Sequence, residues 1–153
     1  MKILIRQATI KDANSIIRCN KLMALETENI ILNNKKAKDG VSNFFKRKDL
    51  GFYLIAEVDG KAVGQLMITY EWSDWRNGIF FWIQSVYVEK KYRGKKIFSL
   101  LFEHVSNMAK EKKDVCGLRL YVENSNLHAQ KVYKKLGMKK LHYKIFETAF
   151  IPV

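Results

Sequence analysis

Between Gln84 and Leu101 the chain reads Gln-Ser-Val-Tyr-Val-Glu-Lys-Lys-Tyr-Arg-Gly-Lys-Lys-Ile-Phe-Ser-Leu-Leu, a β-rich run that passes through a cationic turn into a helical one. Ile79 to Val88 is dense in Ile, Phe, Trp, Val and Tyr, side chains that suit a pleated, half-buried strand. After Arg93-Gly94 the apolar residues Ile97, Leu100, Leu101, Val105 and Met108 fall three to four apart, which is a helical period. A helix begun this way has first-turn N–H groups without internal partners and roughly +0.5 charge at that end, so it attracts an anion. Arg93, Lys95 and Lys96 add full positive charges, and Gly94 lets a ligand come close to the main chain. An ordinary strand-to-helix connection with a solvated basic turn explains the spacing alone equally well.

Val86-Tyr-Val-Glu-Lys-Lys-Tyr-Arg-Gly-Lys-Lys-Ile resembles the acetyl-coenzyme A signature of the GCN5-related N-acetyltransferase (GNAT) family: Gln or Arg, two residues, Gly, one residue, then Gly or Ala. Arg93 matches the first position and Gly94 the glycine that commonly follows it, while Lys96 and Phe98 stand where the two later small residues usually are. Asn126-Leu-His-Ala-Gln-Lys-Val-Tyr-Lys-Lys-Leu-Gly-Met resembles the family's other signature, in the order the family has it.

The resemblance implies roles. Main-chain amides of the turn through Arg93, Gly94, Lys95, Lys96, Ile97 and Phe98 would hold the coenzyme A pyrophosphate. The backbone of Val86, Tyr87 and Val88 would pair with the pantetheine arm like an added strand. Asn126 would contact that arm, with Ala129 in the same motif, and Tyr133 would place its hydroxyl near the thioester sulfur. A phenol has an unperturbed pKa of about 10, so at neutral pH Tyr133 is protonated and can serve as general acid to a departing thiolate. The general base is not assigned. Some family members carry Glu where this chain has Gln84, and an amide cannot take a proton from an ammonium. Glu71, Asp74 and Glu123, near strand ends, are candidates for a water-relayed base, though a carboxylate in such a place is more often simply solvated. Trp72, Trp75, Phe80, Phe81 and Trp82 cluster toward the expected acceptor end of the central strand.

Ile3 and Ile5 alternate with Leu4 and Arg6 in a first strand, and Thr9 with Asp12 forms a capping arrangement before a helix with Ala13, Ile16, Ile17 and Asn20 on one face. Val41, Phe44 and Phe45 predict a second helix over about Asp39 to Arg47. Phe52 to Val58, Asp59-Gly60 and Lys61 to Tyr70 read as a hairpin, followed by a loop over Trp72 to Gly78 and the central strand. A helix to about Lys112 leads to a fifth strand over Gly117 to Glu123, parallel to the fourth. Asn124-Ser-Asn then caps a helix that Gly137 ends, and Met138 to Phe150 is expected to supply one or two closing strands. The expected fold is α+β, a three-layer GNAT-type domain over residues 1 to 153. Its mixed, mostly antiparallel sheet would have about six or seven strands, with helices on both faces and the fourth and fifth strands parallel and splayed.

With 153 residues, 48% hydrophobic and 28% charged, the chain is globular rather than disordered or fibrous. No apolar run approaches the roughly 20 residues that cross a bilayer, and a charge follows too soon after Met1 for a secretion signal, so a cytoplasmic protein without a membrane partner is expected. Cys19 and Cys116 have no metal-ligand or disulfide spacing and read as buried free thiols. Against 15 Asp and Glu stand 28 Lys and Arg, a net charge of +13 that favours anionic partners without choosing between nucleic acid and a phosphorylated cofactor. No zinc-finger or basic heptad spacing is present, so nucleic acid is not favoured. Together these readings predict an acetyl-coenzyme A-dependent N-acetyltransferase, monomeric or homodimeric, acting on a small-molecule or peptide amine. The alternative is a coenzyme-binding or nucleic-acid-binding module that has lost catalysis.

Overall fold

The computed structural model describes residues 1–153. Five strands, β1 (Ile3–Gln7), β2 (Gly51–Val58), β3 (Lys61–Ser73), β4 (Gly78–Val88) and β5 (Val115–Arg119), form one sheet in that spatial order. The first four are antiparallel neighbours and β5 runs parallel to β4. The helices are α1 (Ala13–Glu28), α2 (Asn34–Lys46), α3 (Ile97–Glu111) and α4 (Leu127–Lys135), with single 3-10 turns at Ile10–Asp12 and Lys90–Tyr92.

The hairpin between β2 and β3 turns at Asp59 (φ 50°) and Gly60 (φ 75°), the left-handed pair that matches the twist of its strands. Alternation then sorts the two faces. Tyr53 and Ile55 of β2 are buried with Ile16 and Ile17 of α1 and Val41 of α2, and Phe44 meets the Tyr53 ring edge-on at 5.0 Å. Leu54 and Ala56 point the other way. Ala56 pairs with Gly64, and Gly64 is covered by Ile97 at the start of α3, so α3 lies on the opposite face from α1 and α2. Leu101 and Val105 of α3 are wholly buried there, each stabilising the fold by about 2 kcal/mol relative to exposure.

The chain divides into two compact units, Met1–Leu120 with the whole sheet and three helices, and Tyr121–Val153 with α4. In the second, Asn126 caps α4 by accepting from the Ala129 N–H at 3.1 Å. Its end closes on Gly137 (φ 88°), with the Gly137 and Met138 N–H groups donating to the Lys134 and Tyr133 carbonyls at 3.0 Å each.

Four expectations are corrected. The sheet has five strands, not six or seven, because Met138 to Phe150 makes no ladder and leaves Tyr143, Ile145, Phe146 and Phe150 exposed. The fifth strand ends at Arg119 rather than Glu123, because β4 offers no partner beyond Trp82. The second helix starts at Asn34, earlier than its apolar spacing indicates, because the Asn33 side chain accepts from the Lys36 N–H at 3.0 Å and caps it. Cys19 is buried, and burial pushes its thiol up to about 11, but Cys116 is exposed.

Candidate active site

The register of β3 and β4 slips at the middle of the sheet. Gln65 faces Tyr87 and Met67 faces Gln84, so Leu66 alone stands against Ser85 and Val86. This is a β-bulge, with Ser85 in the left-handed region at φ 50°. The bulge is held by Gln65, 1% exposed, whose Nε2 donates to the Ser85 carbonyl at 3.2 Å and to Asn20 Oδ1 of α1 at 2.7 Å. A bulge bends its strand, and here β4 parts from β5: the parallel ladder covers only Ile79 to Trp82 against Val115 to Arg119. The β5 side of β4 from Gln84 to Val88 therefore has no strand against it. An extended ligand can add to such an edge through main-chain hydrogen bonds.

At the end of that open edge the 3-10 turn leads into Arg93 (φ −67°, ψ 157°), Gly94 (φ 74°) and Lys96 (φ 60°, ψ 17°), the N-cap of α3. No side chain caps α3, so its first turn presents main-chain donors and the positive end of a 15-residue helix. Nothing lies within 4 Å of where a Cβ on Gly94 would stand, so the turn is open there. Lys91 and Lys95 hold their ammonium groups 4.9 and 5.2 Å from the Tyr92 ring, keeping cations at the turn. The left-handed backbone of Lys96 shows why a small residue suits that position. Phe98 is half-buried with its ring 6.2 Å from Phe102 along the helix. The Arg93 side chain turns toward Glu26 of α1, which it meets at 2.7 Å.

On the α1 and α2 side of the bulge is a cleft of about 350 Å³ lined by Asn20, Lys36, Phe44, Tyr53, Met67 and Ser85, together with Ala37, Gly40 and Val41 of α2. Burial holds the Tyr53 phenol above its usual range, opposed by its hydrogen bond with Asn20. Gln65 Oε1 is buried and has no hydrogen-bond partner. Gln84 Nε2 donates to Thr69 Oγ1 at 2.6 Å.

The candidate carboxylates are placed differently. Glu71 pairs opposite Phe80, roughly 20 Å along β4 from Val86 at about 3.3 Å per residue. It accepts from Trp82 Nε1 at 2.7 Å and from Arg119 at 2.8 Å, and the Arg119 guanidinium lies 3.8 Å over the Phe80 ring. Asp74 sits in the next turn, accepting from the Trp75 N–H at 2.9 Å. Glu123, in the second unit, accepts from the Ser125 hydroxyl and N–H, which hold its carboxyl below the usual range. Of the expected aromatic cluster, Phe80 and Phe81 are buried while Trp72 and Trp75 are exposed. Tyr133 lies half-buried on α4, and burial raises its phenol. The sequence reading missed Asn20, Tyr53, Gln65 and Glu26. Only Gln65 carries a local signal, an amide within the apolar run Val63 to Ile68.

A crystal structure described as a possible acetyltransferase from Clostridium difficile 630 superposes with a TM-score of 0.91 at 41% identity, covering 99% of this chain and 100% of that one. A predicted acetyltransferase from Clostridium acetobutylicum, solved with acetyl-coenzyme A, shares the fold at a TM-score of 0.78 and 22% identity, covering 96% of each chain. A Bacillus subtilis (strain 168) protein provisionally named [ribosomal protein bS18]-alanine N-acetyltransferase is 31% identical over 102 residues. That alignment takes in 67% of this chain and 63% of the relative, so the chain spans less than two thirds of its length. The model of the acetyltransferase (GNAT) family matches residues 12–138, across both compact units, and the chain belongs to that family.

Proposed function

We propose that this protein is an acetyl-coenzyme A-dependent N-acetyltransferase acting on a primary amine, with residues 1 to 153 working as one domain. The observation that carries this reading is the open edge of β4 from Gln84 to Val88, bounded by the bulge at Ser85 and by the uncapped, cationic start of α3. That juxtaposition suits a ligand with an extended amide-bearing arm and an anionic end. The Clostridium acetobutylicum neighbour, solved with acetyl-coenzyme A, supports the choice of cosubstrate.

In this reading the pyrophosphate meets the amides from Arg93 to Phe98, with Lys95 and Lys96 supplying charge. The pantetheine arm pairs with Val86, Tyr87 and Val88, and Asn126 and Ala129 contribute from the second motif. The cleft of Asn20, Tyr53, Phe44, Met67 and Ser85 receives the acceptor, and its volume suits a small amine or one residue of a peptide. The neutral amine nitrogen attacks the thioester carbon, and a main-chain N–H of β4 stabilises the oxygen of the tetrahedral intermediate. The carbon–sulfur bond then breaks and the thiolate takes a proton from Tyr133. The amine's proton leaves to water, and the general base stays unassigned: Glu71, Asp74 and Glu123 could take that proton only over a relay of several waters. A cytoplasmic location fits two cysteines that are both free thiols.

The test is a panel of amino acids, small carboxylate-bearing amines, polyamines and peptides with free N-termini or Lys, each supplied with acetyl-coenzyme A and read by release of free thiol. At least one class should give saturable, amine-dependent thiol release. The reading fails if none does while the protein is folded and binds the coenzyme.

A further inference from the structure

Helix α1, which supplies Asn20 to the cleft, is also fastened to the turn at the end of β4. Glu26, in its last turn, accepts from the Tyr87 hydroxyl through Oε1 at 3.0 Å and from Arg93 through Oε2 at 2.7 Å, with Lys90 Nζ at 3.8 Å. The same Arg93 guanidinium donates from Nε to the Val88 carbonyl at 2.9 Å and lies 5.4 Å over the Tyr87 ring. One planar fork thus joins the last residue of β4 to the helix. Two turns earlier Arg18 makes the reverse pair, 2.7 Å from Glu89, whose N–H donates to Val63.

We infer that Glu26 is a positioning residue for coenzyme A: by holding the Arg93 side chain it fixes the backbone of the turn whose amides face the pyrophosphate, and it links that turn to the helix that lines the acceptor cleft. This rests on the reading that the turn from Arg93 to Phe98 holds the pyrophosphate. The electrostatics give the inference a sign. Glu26 is a negative charge beside Lys90 and Arg93, so acting through its field alone it would repel the coenzyme phosphates, and its removal would tighten binding. If instead it positions the turn, its removal loosens binding although the protein becomes more positive.

The experiment is calorimetric titration of the full chain with coenzyme A and with pantetheine, which lacks the phosphates. Wild type is compared with Glu26→Gln, Arg93→Lys and their double variant. Glu26→Gln and Arg93→Lys should each weaken coenzyme A about threefold to tenfold and leave pantetheine unchanged. The double variant should be no weaker than the worse single one, because both remove the same contact. Should Glu26→Gln not fold, Arg93→Lys carries the test alone, since it keeps the charge and loses the fork. Unchanged or tighter coenzyme A binding in Glu26→Gln or Arg93→Lys overturns the inference, as does an equal loss for both ligands. If wild type itself binds coenzyme A no better than pantetheine, the turn does not hold the pyrophosphate and the underlying reading falls as well.

Discussion

Ile97, the first residue of α3, packs directly on Gly64 of β3: a Cβ on Gly64 would stand 3.1 Å from Ile97 Cγ2 and 3.3 Å from the Tyr87 carbonyl. The missing side chain sets how closely the start of α3 approaches the open edge of β4, and so where its amides lie relative to Val86 to Val88. Gly64→Val should push the two apart. Stability should fall by about 1–3 kcal/mol from overpacking, and coenzyme A affinity should fall with it, as measured by denaturant titration and calorimetry. Affinity that holds at the wild-type value would show that this spacing does not matter to the ligand.

Lys96 occupies a left-handed conformation that costs a side-chain-bearing residue roughly 1–2 kcal/mol, and glycine avoids that cost while giving back about 0.5–1 kcal/mol through the unfolded chain. Lys96→Gly should therefore be neutral or slightly stabilising, whereas Lys96→Val should lose at least 1 kcal/mol relative to the glycine variant. Equal melting temperatures for the two would mean that the backbone relaxes out of this conformation.

Tyr133→Phe removes one hydroxyl and keeps the ring. Burial holds the phenol above its usual range, so it stays protonated through neutral pH and can donate. Turnover should fall about a hundredfold to ten-thousandfold, with the loss in kcat rather than KM and little change in stability. Full activity would return Tyr133 to a packing role.

Asp12 accepts from Arg6 at 2.9 and 3.0 Å and from the Thr9 N–H at 2.8 Å, and the Arg6 hydrogen bonds lead in holding its carboxyl below the usual range against the opposing effect of burial. A depressed folded pKa gives stability that is present above the unfolded value, about 4, and is lost as pH falls through the lower folded value. Asp12→Asn should thus be less stable at pH 7 and should show a shallower loss of stability below about pH 4. Parallel acid limbs for the two proteins would remove Asp12 from the acid transition.

Much of this architecture is written locally. Asp59-Gly60 specifies its hairpin, Asn126 and Gly137 bracket α4, and Arg93-Gly94 marks the strand-to-helix turn, each through a backbone preference that one or two residues express. What escaped is non-local. The bulge at Ser85 depends on Gln65 and Asn20 reaching it from β3 and α1, and the short β5 depends on that bulge turning β4 away. Glu26 reads as one more charge at a helix end until the fold brings Arg93 to it. Met138 to Phe150 alternates like a strand, but alternation does not supply a partner for its main chain.

Calorimetric titration of the wild-type protein with acetyl-coenzyme A, run beside a single-stranded DNA oligomer and an RNA oligomer at two salt concentrations, separates a coenzyme site from a general affinity for polyanions. Acetyl-coenzyme A should bind at one molecule per chain, while oligomer binding should be weaker and should fade at the higher salt, as expected of a general positive field. No detectable coenzyme binding, with tight and salt-resistant binding of an oligomer, would make the protein a nucleic-acid-binding module and not an acetyltransferase.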